Sequence, residues 1–380
     1  MMVHHHNLFI LLVWNLIMPE KNITQKYGNL KIIWHSDKLD ALREGKVTAP
    51  LNVRIKPTNR CDHNCFYCSY HPESENILSE EFKSSDEIPR EKMMEVLKDF
   101  KEIGVKSLTY SGGGEPLIYP FIEEAFEKTL DSGIDLSIIT NGQKLSGEKA
   151  KYLANAKWVR ISLDASNQES FHKSRRVPLK LFGKLEKNIV SFSGIKKSDC
   201  ELGINFVVHH LNQGEVYEAA RFFKELGVNH IKFTPRWIDK KGEWINYHRP
   251  FKEGVIEQIA KAKELVDENF SIFDTYKNDF ELTGVPERAY STCPIMQIVP
   301  VIGADSVVYF CHDKTYTREG ALGSIKKQSF KDLWFGKEAK EKFKKFNPKK
   351  ECQQHCTYDA RNLLITDAIK SYDKNHINFI

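Results

Sequence analysis

A chain of 380 residues and 44.0 kDa has room for one large domain with a smaller appendage. With 41% hydrophobic and 28% charged residues it has the balance of a globular protein rather than a disordered or membrane-spanning one. The net charge of +5, from 56 basic and 51 acidic residues, supplies no field that points to nucleic acid or anionic lipid, so partners must be argued from sites.

The one membrane-like segment, "NLFILLVWNLIM" (7–18), is shorter than the roughly 20 apolar residues a bilayer span needs. No Lys or Arg precedes it and no small-residue cleavage site follows, so it reads as a loosely packed tail or as residues before a true start at Met18. From residue 51 onward, strand-like and helix-like segments alternate. "LNVRIKP" (51–57), "KSLTYS" (106–111), "DLSIIT" (135–140), "WVRISLD" (158–164), "GINFVV" (203–208) and "HIKFTP" (230–235) are short runs rich in β-branched and aromatic residues. Between them lie amphipathic stretches such as "PREKMMEVLKDFKEIG" (89–104) and "GEVYEAARFFKELG" (214–227), each closed by a glycine. Six strand–helix alternations predict an α/β fold, a partial (β/α)6 TIM-like barrel with its chemistry at the C-terminal ends of the strands. The expected organisation is an N-terminal extension (1–50), the barrel core (51–235), a connecting segment and helix (236–289), and a small C-terminal cysteine-rich cluster-binding domain (290–380).

Eight cysteines stand at Cys61, Cys65, Cys68, Cys200, Cys293, Cys311, Cys352 and Cys356. That is few for a disulfide framework in a chain this long, and seven of them fall into two groups. Such grouping suits metal ligands in a reducing cytoplasm. Cys61, Cys65 and Cys68 follow directly on the first strand. Three thiolates on one loop cannot complete a tetrahedral zinc site alone, and no histidine stands at finger spacing downstream. They could hold three irons of a four-iron cluster and leave the fourth open.

The C-x3-C-x2-C spacing after a first strand, with Tyr67 before the last cysteine, resembles the radical S-adenosylmethionine superfamily. The resemblance implies a [4Fe–4S] cluster whose open iron chelates S-adenosylmethionine, and a 5′-deoxyadenosyl radical that abstracts hydrogen from substrate. "YSGGGEPL" (110–117) resembles the family's glycine-rich segment, which implies that Gly113, Gly114 and Glu115 receive the cofactor's ammonium. "VRISLDA" (159–165) implies Ser162 and Asp164 near its ribose and methionine ends, and "FHKSRR" (171–176) implies Arg175 against its carboxylate. Asn141 in "ITNG" (139–142) and Asn205 in "GINFVV" complete the pattern, which covers about residues 51 to 235.

Cys293, Cys311, Cys352 and Cys356 offer a full ligand set for a second four-iron cluster or for a four-thiolate zinc ion. Their layout resembles the SPASM extension of the same family and its shorter version, twitch. Two departures stand out: Ser306 occupies the place of a hairpin glycine, and the last cysteine pair is spaced by three residues rather than two. Ten lysines between Lys326 and Lys350 read as a solvated helix face rather than a docking patch. Cys200 reads as an incidental buried thiol.

The resemblance implies radical oxidation or rearrangement of a small polar substrate, a sugar or aminocyclitol, with the second cluster as electron acceptor and a flavodoxin or ferredoxin as electron donor. It extends to the butirosin-pathway dehydrogenases and the anaerobic sulfatase-maturing enzymes. Rival readings are a ribosomal-peptide maturase, disfavoured because only about 50 residues precede the barrel, and a cyclase resembling the molybdopterin-precursor enzyme. From another class comes a zinc-stabilised binding protein. No catalytic base is identifiable. Tyr110, His209, His210, Arg236 and Asp305 are polar groups near strand ends or the second cysteine group, each read as structural. The closing "HINFI" is expected to dock into the body.

Overall fold

The computed structural model describes residues 28–70, 80–238, 243–276, 288–352 and 356–370. The apolar segment 7–18 and the closing "HINFI" lie outside these described residues.

In the extension before the barrel, α1 (Ser36–Arg43) is tied to the far end of the chain, where the Arg43 guanidinium donates to the Ala368 carbonyl. Then β1 (Asn52–Ile55), α2 (Arg90–Ile103), β2 (Ser107–Tyr110), α3 (Ile122–Asp131), β3 (Asp135–Thr140), α4 (Gly147–Leu153) and β4 (Trp158–Ser162) follow in strict alternation. After β4 come α5 (Gln168–Arg175), α6 (Lys180–Ile195), β5 (Glu201–Val208), α7 (Val216–Glu225), β6 (His230–Pro235), α8 (Glu243–His248) and α9 (Lys252–Ala262). Helix α2 stops where Gly104 takes the left-handed conformation (φ 78°), which lacks a Cβ penalty only for glycine. Gly227, beyond α7, does the same (φ 77°).

All six expected strands are present and pair in parallel, in the order β1 to β6. The sheet continues beyond them. A seventh strand, β7 (Ser271–Asp274), pairs parallel with β6 inside the stretch read from sequence as a connection. Its four residues are all half-buried, so it shows no alternation by which sequence could reveal it.

Along the strands, one face packs under the helices: Val53, Ile55, Leu108, Ile138, Val159, Ile161, Ile204 and Phe206 are fully buried. The other face is different. Arg54, Trp158, Arg160, Ser162, Asn205, Lys232 and Thr234 are half-buried, so the inside of the curled sheet is polar and reachable rather than filled. Curling brings distant strands together, so that the charges of Arg54 on β1, of Lys56 just beyond it and of Arg160 on β4 all act on the same imidazole, His312.

The C-terminal region is built from α10 (Ile295–Ile298), β8 (Val301–Ile302), β9 (Val307–Tyr309), β10 (Ala321–Ser324), α11 (Phe330–Phe335), α12 (Lys337–Lys345), α13 (Pro348–Glu351) and α14 (Asp359–Ala368). Strand β8 pairs parallel with β1 and antiparallel with β9, which pairs with β10, so one ten-stranded sheet runs through barrel and appendage. The hairpin forms without a glycine at its fourth position, Ser306 itself taking a left-handed φ of 60°. Among the described residues no helix is long and apolar enough to cross a membrane.

Candidate functional site

The three-cysteine loop sits at the C-terminal mouth of the barrel, fixed by a helix end. A helix leaves its last carbonyls without intrahelical donors. At the end of α5 these go to the loop: Asn64 N–H donates to the Arg175 carbonyl (3.1 Å) and Phe66 N–H to that of Ser174 (3.2 Å). Cys68 N–H closes the loop on the Cys65 carbonyl (3.1 Å). The start of α5 is set by Asn167, whose side chain accepts from the N–H groups of Glu169 and Ser170.

The glycine-rich segment lies against the root of this loop. A Cβ on Gly114 would stand 1.9 Å from the Arg60 carbonyl oxygen, and one on Gly113 would stand 2.3 Å from the Asn59 side-chain oxygen. The backbone passes that close because Gly114 N–H donates to Thr58 (3.3 Å) and Glu115 N–H to Arg60 (2.8 Å). These glycines therefore serve the chain's own packing, a reason absent from the sequence reading.

Glu115 is likewise engaged by the protein. Its buried carboxylate accepts from Thr140 Oγ1 (2.5 Å), Leu117 N–H (2.9 Å) and Asn141 N–H (2.7 Å), tying the second strand's end to the third. Burial pushes its pKa up to about 7, against the pull of those three donors. Asn141 passes the link on, its side-chain amide donating to Asp62 of the cysteine loop (2.6 Å).

Arg175 and Asp164 meet each other. Both are buried, Arg175 Nε donating to Asp164 Oδ1 at 2.6 Å with Nη2 at 2.6 Å from the same oxygen, while Nη1 donates to Cys65 Sγ at 3.3 Å. Asp164 Oδ2 lies 2.8 Å from His209 Nε2. The tautomer follows from the other ring nitrogen: Nδ1 accepts from Leu211 N–H (3.2 Å), so Nε2 carries the proton and donates. Burial opposes the charge on Asp164, yet Arg175 and His209 hold its carboxyl well below the usual range. The Arg175 guanidinium lies 5.6 Å from the centre of the Tyr67 ring. Ser162 and Asn205 face the lumen on one rung of the sheet, with the Asn205 amide 3.4 Å from Thr234 Oγ1.

Burial pushes the Cys65 thiol up to about 11, and those of Cys61 and Cys68 rise as well. The second group behaves alike. Cys293, Cys311, Cys352 and Cys356 line one pocket, walled by Tyr290, Met296, Phe310, Phe346, Pro348 and Tyr358. Burial and the neighbouring thiolates push Cys293 up to about 12, and burial with Asp313 pushes Cys356 up to about 11. Clustered thiols that resist ionisation, yet surround a shared space, suit a cationic group that would supply the missing charge. Among the described residues no three Cys, His, Asp or Glu side chains gather closely enough for a single metal ion. Asp313 joins the Cys311 and Cys356 turns by accepting from Thr357 N–H (3.1 Å), and the Asn362 amide donates to Cys293 Sγ (3.4 Å). Cys200 is buried away from both groups, against the Leu153 carbonyl.

Of the other polar candidates, the Tyr110 hydroxyl is spent on Thr129 of α3, Asp305 on the hairpin turn and Tyr309, and His210 on Tyr247. Sequence reasoning missed Asp62, Asn212 and Lys56. Asn212 donates to the Asp164 carbonyl (2.8 Å), a contact with no sequence signal. Lys56 is fully buried with its ammonium 2.6 Å from the Tyr70 hydroxyl. Burial and Arg54 push its pKa well below the usual value, and its position in the alternating strand pattern could have marked it as inward-facing.

An open α/β barrel with three cysteines at its mouth and four more around a second site defines an iron–sulfur enzyme of the radical S-adenosylmethionine class. The chain belongs to that superfamily: residues 55–189 match the Radical SAM superfamily and residues 293–357 the iron-sulfur cluster-binding domain called SPASM. It is 31% identical over 228 residues to a probable GTP 3′,8-cyclase of Methanocaldococcus jannaschii, covering 58% of this chain and 70% of that one. It is 26% identical over 182 residues to the AdoMet-dependent heme synthase of Methanosarcina barkeri, covering 47% of this chain and 49% of that one. Against the GTP 3′,8-cyclase of Clostridium perfringens (strain 13), 26% identical over 223 residues, it covers 57% of this chain and 64% of the relative's length. Among solved structures it shares its fold with Streptococcus suis SuiB bound to the precursor peptide SuiA (TM-score 0.59, 16% identity, 89% of this chain and 77% of that one). It also shares it with anSMEcpe with bound AdoMet (TM-score 0.57, 24% identity, 78% of this chain and 80% of that one). Its cofactors are therefore [4Fe–4S] clusters and S-adenosylmethionine.

Proposed function

We propose that this enzyme oxidises or rearranges a small polar substrate held in the barrel lumen, with Cys61, Cys65 and Cys68 holding the first cluster and Cys293, Cys311, Cys352 and Cys356 the second. When bound, these groups supply one-electron cleavage of S-adenosylmethionine to a hydrogen-abstracting radical and a place for the electron the substrate gives up. The observation that carries the substrate reading is the lumen itself: Ser162, Asn205 and Thr234 offer half-buried hydrogen-bonding groups near the strand ends, and Arg54 and Arg160 add positive charge. A sugar, an aminocyclitol or a nucleotide fits that lining. The M. jannaschii relative, named for GTP, acts on a molecule of this class. The protein's own part is to hold the cysteine loop through α5 and to stiffen the strand ends through Glu115 and Asn141.

A peptide substrate is the second reading, prompted by SuiB, which was solved with its precursor peptide across an architecture shared over most of this chain. The electron donor proposed is a flavodoxin or ferredoxin, in keeping with a reducing cytoplasm. The test is anaerobic reconstitution with iron and sulfide counting, then dithionite and S-adenosylmethionine. About eight irons are expected in the wild type and about four in the Cys61/Cys65/Cys68→Ala variant, with 5′-deoxyadenosine from the wild type alone. Stimulation of that product by nucleotides or sugars and not by peptides supports the small-substrate reading; the reverse installs the peptide one.

A further inference from the structure

The Asp164–Arg175–His209 cluster places a guanidinium on a cysteine proposed as a cluster ligand, and it does so through a chain of fixed contacts. Arg175 Nη1 donates to Cys65 Sγ at 3.3 Å. The other side of the guanidinium is anchored on Asp164 Oδ1, and His209 Nε2–H occupies Asp164 Oδ2. His209 is in turn held from every side. Its Nδ1 accepts from Leu211 N–H, its own backbone N–H donates to Asn212 Oδ1 at 2.7 Å, and its ring lies edge-on to Phe66 with centroids 5.1 Å apart. His209 and Asp164 are completely buried and Arg175 almost so, which fixes the set in a low-dielectric site where charge and hydrogen bonding act strongly. His209 touches none of the cysteines in these contacts, so its effect on them runs through Asp164 and Arg175.

We infer that His209 is a positioning residue which, by occupying one oxygen of Asp164, keeps the Arg175 guanidinium directed at Cys65 and thereby raises the reduction potential of the first cluster. The inference rests on the proposal that Cys61, Cys65 and Cys68 hold that cluster. Hydrogen bonds to cluster sulfurs and nearby positive charge favour the reduced, more negative state. With His209 removed, both Asp164 oxygens become available to take the guanidinium as a fork, which draws Nη1 from Cys65. A lysine at 175 has a single ammonium and cannot bridge Asp164 and Cys65 with fixed geometry.

The experiment is an EPR-monitored redox titration of reconstituted, full-length protein without S-adenosylmethionine, on wild type, His209→Ala, His209→Gln and Arg175→Lys. The first cluster is identified in each by the signal that changes when S-adenosylmethionine is later added. The expected result is a lower midpoint potential for the first cluster in His209→Ala and Arg175→Lys, with the second cluster unmoved. Recovery toward the wild-type value is expected in His209→Gln, whose amide still donates to Asp164. Unchanged potentials in His209→Ala and Arg175→Lys with iron content intact overturn the inference, as does an equal shift of both clusters. Iron retained in full by a Cys61/Cys65/Cys68→Ala variant instead removes the cluster assignment beneath it, so the two failures are separable.

Discussion

A carboxylate buried completely survives only with partners, and the Asp164 side chain has Arg175 and His209, while Asn212 holds its backbone carbonyl. Asp164→Asn keeps the shape and removes the charge, leaving the Arg175 guanidinium buried without its counter-ion. Breaking a buried pair from one side costs about 3–5 kcal/mol. Urea unfolding of the iron-free variant is expected to show a loss of that order, and a midpoint equal to wild type would contradict the account. A second buried side chain sets a pH dependence. His248 Nε2 faces the Arg236 carbonyl (3.1 Å), so it carries the proton, and Nδ1 accepts from the Tyr276 hydroxyl (2.9 Å). Burial lowers its pKa to about 4, below the ordinary 6.5. The unfolded chain then binds a proton that the folded chain refuses, so the stabilisation is full above pH 6.5 and is lost as pH falls from there toward 4. Thermal melting between pH 7.5 and 4.5 should fall less steeply in His248→Gln than in wild type, and identical slopes would show that other groups set the dependence.

At the scale of elements, local sequence pattern identified β1 to β6 as short runs rich in β-branched and aromatic residues and the glycine-stopped helices by their amphipathic apolar spacing. It failed at β7, whose four residues are uniformly half-buried, and it had no means of seeing that β8 would extend the barrel sheet through β1. The cysteine spacing was legible because three thiols on one loop form a local pattern. The Asp164–His209 contact joins residues 45 apart and left no local trace. The glycine-rich segment shows the difference most sharply. Its residues were legible, but their physical reason is contact with the loop root, where a Cβ on Gly114 would lie 1.9 Å from a backbone oxygen that has nowhere to move. Gly114→Ala is therefore expected to displace the cysteine loop, with about four irons remaining of about eight and the second cluster's EPR signal preserved. Full iron content with undiminished 5′-deoxyadenosine formation would show that the loop root can yield.

At the scale of the molecule, barrel and appendage share one sheet, and this decides how the two cysteine groups depend on each other. The edge of β1 is covered by the C-terminal region: Leu51 N–H donates to Ile298, Arg54 N–H to Pro300 and Lys56 N–H to Ile302, at 2.8–3.0 Å. Buried Lys56 is enclosed on the same side, its ammonium 4.3 Å from the centre of the Tyr70 ring and 5.1 Å from that of Tyr316, whose hydroxyl donates to Asn59 Oδ1 (2.5 Å) just before the cysteine loop. Removing residues 290–380 would uncover a strand edge and a buried ammonium beside the first cysteine group, both strongly unfavourable. Replacing Cys352 and Cys356 with serine removes two of the ligands proposed for the second cluster and leaves β8, Tyr316 and the edge in place. Truncation is accordingly expected to yield an aggregated chain that holds no cluster. The Cys352→Ser/Cys356→Ser variant should stay monodisperse with about four irons and a first-cluster signal that still responds to S-adenosylmethionine. Size-exclusion chromatography with iron analysis separates the cases. A soluble truncated chain with four irons would mean that the shared sheet is a convenience of packing and that the barrel folds alone; loss of the first cluster in the double-serine variant would mean that the second cluster, rather than β8, holds the mouth of the barrel together.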